Sequence, residues 1–241
     1  MNLVWTWLSE PSHYLGSDGI LARSWQHLGY TVLTLLIAAT VAIPLGLWIG
    51  HTGRGRIVVV NAVNGMRSLP TLGLLFIAVL LMGPRIPGDL AFLAPSIFVL
   101  VVLAVPPILA GTYSGVDEVD PAARDAARGM GMTSWQVLFG VELPGALPLI
   151  FSGLRSAALQ VVATATIAAT VSIGGLGRFL IDGLAVRDYG QMAGGALLVG
   201  VLALLLDGAF SLVQRLSVSP GLSAPEASSR INQDSTATIT T

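Results

Sequence analysis

The chain lacks cysteine and lysine and carries few charges of either sign. Without cysteine it has no disulfide, no thiolate nucleophile and no cysteine metal ligand. All 12 residues counted as lysine or arginine are arginine, which excludes Schiff-base chemistry and the P-loop lysine that contacts the terminal phosphates of ATP. The net charge of −1 provides neither a basic field for nucleic acid nor an acidic tail.

The scarcity of charge indicates a membrane protein. Charged residues make up 10% of the chain and hydrophobic residues 54%, whereas an ordinary soluble domain carries about 25% charged residues. A helix needs about 20 apolar residues to cross the hydrocarbon core. We therefore predict an all-α integral membrane protein with about five transmembrane helices, the second interrupted by Arg67 and Pro70. The predicted spans are residues 28–50, 57–83, 90–116, 147–173 and 191–214.

The two ends of the chain differ from the spans. Residues 1–27 have tryptophan and tyrosine but no basic start, which favours a segment lying at the headgroup level outside the cell over a signal peptide. Residues 28–216 form the predicted transmembrane domain. Residues 217–241 are rich in serine, threonine, alanine and proline, and we predict a disordered cytoplasmic tail.

Arginine counts favour this orientation weakly, by six residues to four. The predicted cytoplasmic arginines are Arg54, Arg56, Arg124, Arg128, Arg215 and Arg230, and the predicted outside ones are Arg23, Arg85, Arg178 and Arg187.

One long polar segment, residues 117–144, separates the third and fourth spans. Asp120 followed by Pro121 favours a helix start, because aspartate caps and proline has no amide that needs a partner. Glycines up to Gly131 end this first short helix, and a second short helix follows. Pro144 is predicted to end that second helix. An amphipathic surface hairpin without a partner is the alternative interpretation.

The spacing in this segment resembles the EAA loop of bacterial ABC importer permeases, whose pattern is E-A-A-x-x-x-G, nine residues, then I-x-L-P. Aspartate replaces the glutamate and valine the isoleucine, so charge and shape are kept. The matching positions are Asp125, Ala126, Ala127, Gly131, Val141, Leu143 and Pro144. The resemblance covers about residues 28–216.

Within importers, several stretches look like the osmoprotectant group, which moves glycine betaine, proline, choline or carnitine. These stretches are residues 67–75, 127–150, 172–177 and 202–207. The first of them is also similar to methionine importer permeases, so an importer for another small solute such as an amino acid is the alternative.

The resemblance implies a set of partners in the bacterial cytoplasmic membrane. Two permease chains, similar or identical, form the pathway, two cytoplasmic ATPases drive it, and an extracytoplasmic binding protein delivers the substrate. The EAA loop docks in a groove of the ATPase, with Arg124, Asp125 and Arg128 expected at the rim. ATP and Mg²⁺ would bind the ATPase, and this chain is expected to bind no cofactor or metal.

Three ionisable residues fall inside the spans, where charge is costly and functional candidates are expected. These are Arg67, Arg155 and Asp207. Our hypothesis is that Asp207 pairs with one of the two arginines and fixes helix packing. An inner gate, a direct substrate contact, or arginines that reach the headgroups are the alternatives.

Three glycines end the fourth span on its outer side: Gly174, Gly175 and Gly177. They suit a turn or a close backbone approach, and the resemblance implies an outer gate that faces the binding protein; a plain helix end is the alternative. The substrate-binding residues cannot be named from the sequence.

Two other classes of membrane protein are weighed against the permease. An enzyme is disfavoured because all three histidines lie outside the span centres. A self-sufficient secondary transporter or channel would be expected to show internal repeats and more spans. We therefore expect a transport subunit without an ATPase site of its own.

Overall fold

The described part of the chain is helical, with short turns between the helices. The structure is a computed structural model, and it describes residues 2–55, 57, 61, 63, 65–66, 68–171 and 173–217. The α-helices are α1 (Asn2–Ser9), α2 (Ile20–Thr52), α3 (Thr71–Met82), α4 (Leu90–Asp117), α5 (Pro121–Gly129), α6 (Ser134–Val137), α7 (Leu143–Ala168), α8 (Gly177–Val186) and α9 (Tyr189–Ser217). Single 3₁₀ turns cover Pro11–His13, Gly83–Arg85 and Ala169–Val171, and a π-turn covers Leu138–Glu142.

Four helical segments of the described chain are long and apolar enough to cross a membrane. They are Ile20–Thr52, Leu90–Asp117, Ser134–Val171 and Tyr189–Ser217. At 1.5 Å per residue, each exceeds the ~30 Å hydrocarbon core. The all-α membrane fold is confirmed, and these segments include four of the five predicted spans.

The second predicted span is not one continuous helix. An apolar helix begins at Thr71 with Pro70 as its N-cap, and it ends at Met82. Proline has no amide to donate and disfavours helical backbone in the residue before it, so the interruption predicted at Pro70 is present. Arg67, the other predicted interruption, lies outside the described residues.

Helix α4 lies at the centre of the bundle and packs mainly against α2 and α7. Alanines supply much of this core, among them Ala42, Ala104 and Ala157, none of which has any exposed area. At the tightest crossing, a Cβ built on Gly153 would lie 2.7 Å from the carbonyl oxygen of Pro107. The small residues of the fourth span therefore allow close helix contact, as helices in lipid require.

The N-terminal helix α1 packs on α8 and α9. Trp7 is buried, its ring 5.2 Å from that of Phe179 in an edge-to-face arrangement. The same ring lies over Gly194 of α9, where a Cβ would come within 2.3 Å of it. Its place at the headgroup level, and the boundaries of the three predicted regions, remain predictions. Residues 218–241 lie outside the described part.

Candidate functional site

The first short helix of the polar segment begins as its sequence predicts. The Asp120 carboxylate accepts a hydrogen bond from the amide of Ala122 at 2.9 Å, and Pro121 occupies the first turn. Helix α5 then ends at Gly129. Gly131 follows with φ +85°, a backbone conformation that costs about 1–2 kcal/mol in residues with a Cβ. A glycine turn therefore redirects the chain towards α6.

The second short helix has a capping box. The Thr133 amide donates to the Gln136 side chain at 2.7 Å, and the Gln136 amide donates to the Thr133 hydroxyl at 3.4 Å. These reciprocal bonds satisfy amides that a helix start leaves without partners. The capping box fixes the direction in which α6 leaves the glycine turn.

The prediction that Pro144 ends this second helix is wrong. Helix α6 continues through the π-turn Leu138–Glu142 into α7, so residues 134–171 form one helical segment. In the π-turn the Leu143 amide bonds to the Leu138 carbonyl, five residues back. This wider turn lets the helix pass the proline, which lacks the amide for a regular helical bond. The short helix and the fourth span are therefore mechanically continuous.

The predicted motif residues lie on two sides of this loop. Ala127 is buried against the rest of the chain, whereas Asp125, Ala126 and Arg128 are exposed. Asp125 and Arg128 form an exposed i,i+3 ion pair, with 3.7 Å between Oδ1 and Nη1. Such surface pairs contribute little to stability, so both groups are available to a partner.

A groove of about 540 Å³ runs between the end of α4 and the start of α7. The motif residues Val141 and Pro144 line it, together with Glu118, Val119 and Asp120. Both the start and the end of the polar segment thus border one open surface.

The buried carboxyl group of Glu142 is the feature that the sequence reading missed. Its side chain is 1% exposed. His51, at the end of α2, approaches it with 2.6 Å between Nδ1 and Oε2, and Arg124 of α5 approaches with 3.1 Å between Nε and Oε1. Ser134, at the start of α6, lies on the other side of the imidazole, 2.6 Å from Nε2. We call these four side chains the Glu142 junction.

Arg124 points into the protein instead of towards the predicted rim. Besides Glu142 it contacts the carbonyl oxygen of Val116, to which Nη2 donates. Of the three predicted rim residues, Asp125 and Arg128 are the exposed ones. A charge inside the apolar stretch that begins the fourth span was the available signal for Glu142, because charges at a membrane boundary are costly unless they are paired.

Next to the junction lies an apolar cavity of about 490 Å³ between α2 and the α6 helix. Its aromatic wall comprises Trp48, Trp135 and Phe139. The rings of Trp135 and Phe139 stack with their centroids 5.9 Å apart. All three side chains are more than half exposed, which suits residues at a membrane–water boundary.

Arg155 and Asp207 meet in a two-point contact between α7 and α9. Nη2 of Arg155 donates to Oδ2 of Asp207 at 2.6 Å, and Nε donates to Oδ1. The predicted pairing of Asp207 with an arginine is confirmed. Arg67, the other candidate partner, lies outside the described residues. Whether the pair also gates the pathway remains a prediction.

The outer glycine turn packs against the start of α2. Gly175, with φ +92°, donates its amide to the Gln26 side chain at 3.1 Å, and Leu176 donates to Nδ1 of His27 at 3.3 Å. The other nitrogen of His27 lies 3.1 Å from the Val162 carbonyl. The turn is therefore tied to two spans.

The flanking glycines have no room for a side chain. A Cβ on Gly174 would lie 2.3 Å from Oε1 of Gln26, and a Cβ on Gly177 would lie 2.3 Å from the Thr166 carbonyl. These contacts fit the predicted close backbone approach; the predicted outer gate stays a prediction. Within the described residues, no group of three or more histidine, aspartate or glutamate side chains is arranged to hold a metal ion.

Comparison with known proteins gives a consistent result. Residues 42–219 match the family described as "Binding-protein-dependent transport system inner membrane component". The chain is 33% identical to the carnitine transport permease protein OpuCB of Listeria monocytogenes, over 86% of this chain and 89% of that protein. It is 33% identical to the osmoprotectant import permease protein OsmW of Salmonella typhimurium, over 87% of this chain and 96% of that protein.

A solved structure has the same fold. The match is to inward-facing conformations of the MetNI methionine ABC transporter, with a TM-score of 0.70 and 22% identity over 83% of this chain and 97% of that chain. At this identity the likeness concerns the fold alone.

Proposed function

This chain belongs to the family of binding-protein-dependent transport system inner membrane components, and we propose that it forms half of the translocation pathway for a compatible solute such as glycine betaine, proline, choline or carnitine. Family membership makes it a multi-pass transport subunit of an ATP-driven importer in the bacterial inner membrane. It is not an enzyme: the ATPase is a separate partner, and a binding protein supplies the substrate.

The substrate class rests on the relatives. Carnitine and osmoprotectant permeases at 33% identity align over more than four fifths of this chain. A further relative, the glycine betaine/carnitine/choline permease OpuCB of Bacillus subtilis, is 30% identical over 89% of this chain and 97% of that protein. These solutes are small and mostly carry a quaternary ammonium group, which tight sites commonly hold with aromatic rings. We place that tight recognition on the binding protein.

The single observation that supports coupling is the continuity of α6 with the fourth span through the π-turn. A short helix that is docked in an ATPase groove would then move α7 as one lever. We propose that Asp125, Ala126 and Arg128, which are exposed on α5, contact the ATPase. ATP and Mg²⁺ would bind on that partner, whose P-loop supplies the lysine that this chain lacks.

A second permease chain completes the proposed pathway. Helices α3 and α9 present exposed leucines, among them Leu80, Leu204 and Leu205. Exposed apolar faces are normal against lipid or another helix in a membrane. The partner is either a second copy or a similar chain.

Uptake in proteoliposomes tests this proposal. The chain is co-purified with its ATPase and reconstituted, the binding protein is added, and labelled glycine betaine, choline, carnitine, proline and methionine are offered separately. We expect ATP-dependent uptake of at least one of the first four. A variant of the ATPase P-loop lysine is the matched control and should abolish uptake.

Two results would overturn the proposal in different ways. Uptake by this chain alone, without an ATPase, would indicate a secondary transporter or channel. ATP-dependent uptake of methionine but of none of the compatible solutes would keep the importer and replace the substrate class.

A further inference from the structure

The Glu142 junction joins the coupling segment to a helix that is far from it in sequence. His51 and Glu142 are separated by 91 positions, yet Nδ1 and Oε2 lie 2.6 Å apart. The coupling segment is covalently continuous with α4 and α7 only. Through the described contacts of His51 with Glu142 and Ser134, it also grips the end of α2.

The burial of Glu142 makes this grip specific. A carboxyl group that is 1% exposed must keep its partners, because a buried polar group without them is costly. One partner belongs to α5 and the other to α2. The imidazole can donate from Nδ1 to Glu142 while Nε2 accepts the hydroxyl proton of Ser134, so a single ring links both short helices to α2.

We propose that His51 and Glu142 are positioning residues that transmit the movement of the coupling segment to α2. Movement that nucleotide binding imposes on α5 and α6 would reach three spans: α4 and α7 through the backbone, and α2 through the junction. This inference rests on the proposed function as an ATP-driven importer, but it does not depend on which solute is carried.

The chain offers variants that separate this role from simple folding. His51→Ala cuts the link to α2 and leaves Glu142 its contact with Arg124. His51→Asn places an amide donor near the position of Nδ1 and should rescue the link. Thr52→Ala is the matched control, because the Thr52 hydroxyl donates only to Trp48 of its own helix, at 2.7 Å.

The first measurement is transport per ATP hydrolysed in the reconstituted complex. For His51→Ala we expect this ratio to fall roughly 2- to 30-fold, the range typical for residues that carry coupling between sites, while ATP hydrolysis persists. His51→Asn should recover most of the ratio, and Thr52→Ala should match the unmodified chain.

The second measurement needs no substrate. Hydrogen exchange of the complex, with and without a non-hydrolysable ATP analogue, reports protection in residues 117–144 and at the end of α2. In the unmodified chain we expect both regions to respond. In His51→Ala and in Glu142→Gln the segment should still respond, and the α2 end should respond less.

An α2 end that responds equally in His51→Ala, with an unchanged transport ratio, would reduce the junction to a static contact and overturn the proposal. If none of the compatible solutes is transported but the exchange result is as expected, the substrate assignment fails and the junction stands. The two failures are therefore distinguishable.

Discussion

At the scale of single residues, the polar groups of the described chain are placed in pairs. Arg155 meets Asp207 between two spans, and His51 meets Glu142 at the cytoplasmic end of another. In lipid a charged side chain without a partner is expensive, whereas a matched pair holds two helices in one register. These contacts define which helices are neighbours as well as how they are oriented.

Asp207→Asn should weaken the contact between α7 and α9. The amide keeps the shape but leaves the Arg155 guanidinium without its anionic partner, so we expect a lower yield of monodisperse complex and less transport. The double variant Arg155→Met with Asp207→Leu removes both charges and should restore assembly above the level of the single variant.

Asp182→Asn provides the control for this prediction. It removes a carboxylate from the i,i+4 pair with Arg178 on the outer helix α8, where both side chains have more access to solvent than a span centre allows. Size-exclusion chromatography of the purified complexes checks the prediction. Unchanged assembly and transport in Asp207→Asn would reject a structural role for the pair.

At the scale of elements, sequence predicted helix starts better than helix ends. The Asp120 cap and the glycine turn at Gly131 follow from local chemistry, and the structure has both. Pro144 was predicted to stop a helix that in fact continues. A π-turn five residues long absorbs the proline, and no local signal in the sequence distinguishes this from a stop.

The contact between His51 and Glu142 could not be predicted for another reason. It joins residues 91 positions apart, and a single sequence without an alignment gives no information on which spans are neighbours. His51 looked like an ordinary residue at a helix end. Arg124 looked like an exposed loop cation, because its partner was unknown.

Gly153→Ala should separate α4 from α7. The new methyl group would lie 2.7 Å from the Pro107 carbonyl oxygen and close to the backbone of Ile108, so backbone atoms would have to move. Overpacking of this kind costs about 1–3 kcal/mol. We expect a lower midpoint of thermal unfolding for the purified chain.

Gly208→Ala on α9 is the matched control, since a Cβ there meets no atom within 4 Å. Alanine also favours a helix over glycine by about 1 kcal/mol, so this variant should unfold at the same temperature or slightly higher. Equal midpoints for both variants would show that the α4–α7 crossing has slack that the geometry does not reveal.

At the scale of the whole molecule, the Glu142 junction also determines the number of membrane crossings. His51 ends α2, and the coupling segment follows the end of α4, so the last turns of both helices lie on one side of the bundle. Two parallel crossing helices require the chain between them to cross back. Residues 53–89 must therefore traverse the bilayer, although α3 alone, at about 18 Å by its 1.5 Å rise per residue, is too short to do so.

This parity places the N-terminal segment and the coupling segment on opposite sides of the membrane, and labelling tests it directly. The chain has no cysteine, so Ser17→Cys and Met130→Cys each introduce a single thiol at an exposed position. We expect an impermeant maleimide to label Ser17→Cys in intact spheroplasts and Met130→Cys only in inside-out vesicles. The cysteine-free parent chain gives the background. Labelling of both positions from the same side would mean that residues 53–89 return without crossing, and α2 and α4 could then not lie parallel as the His51–Glu142 contact requires.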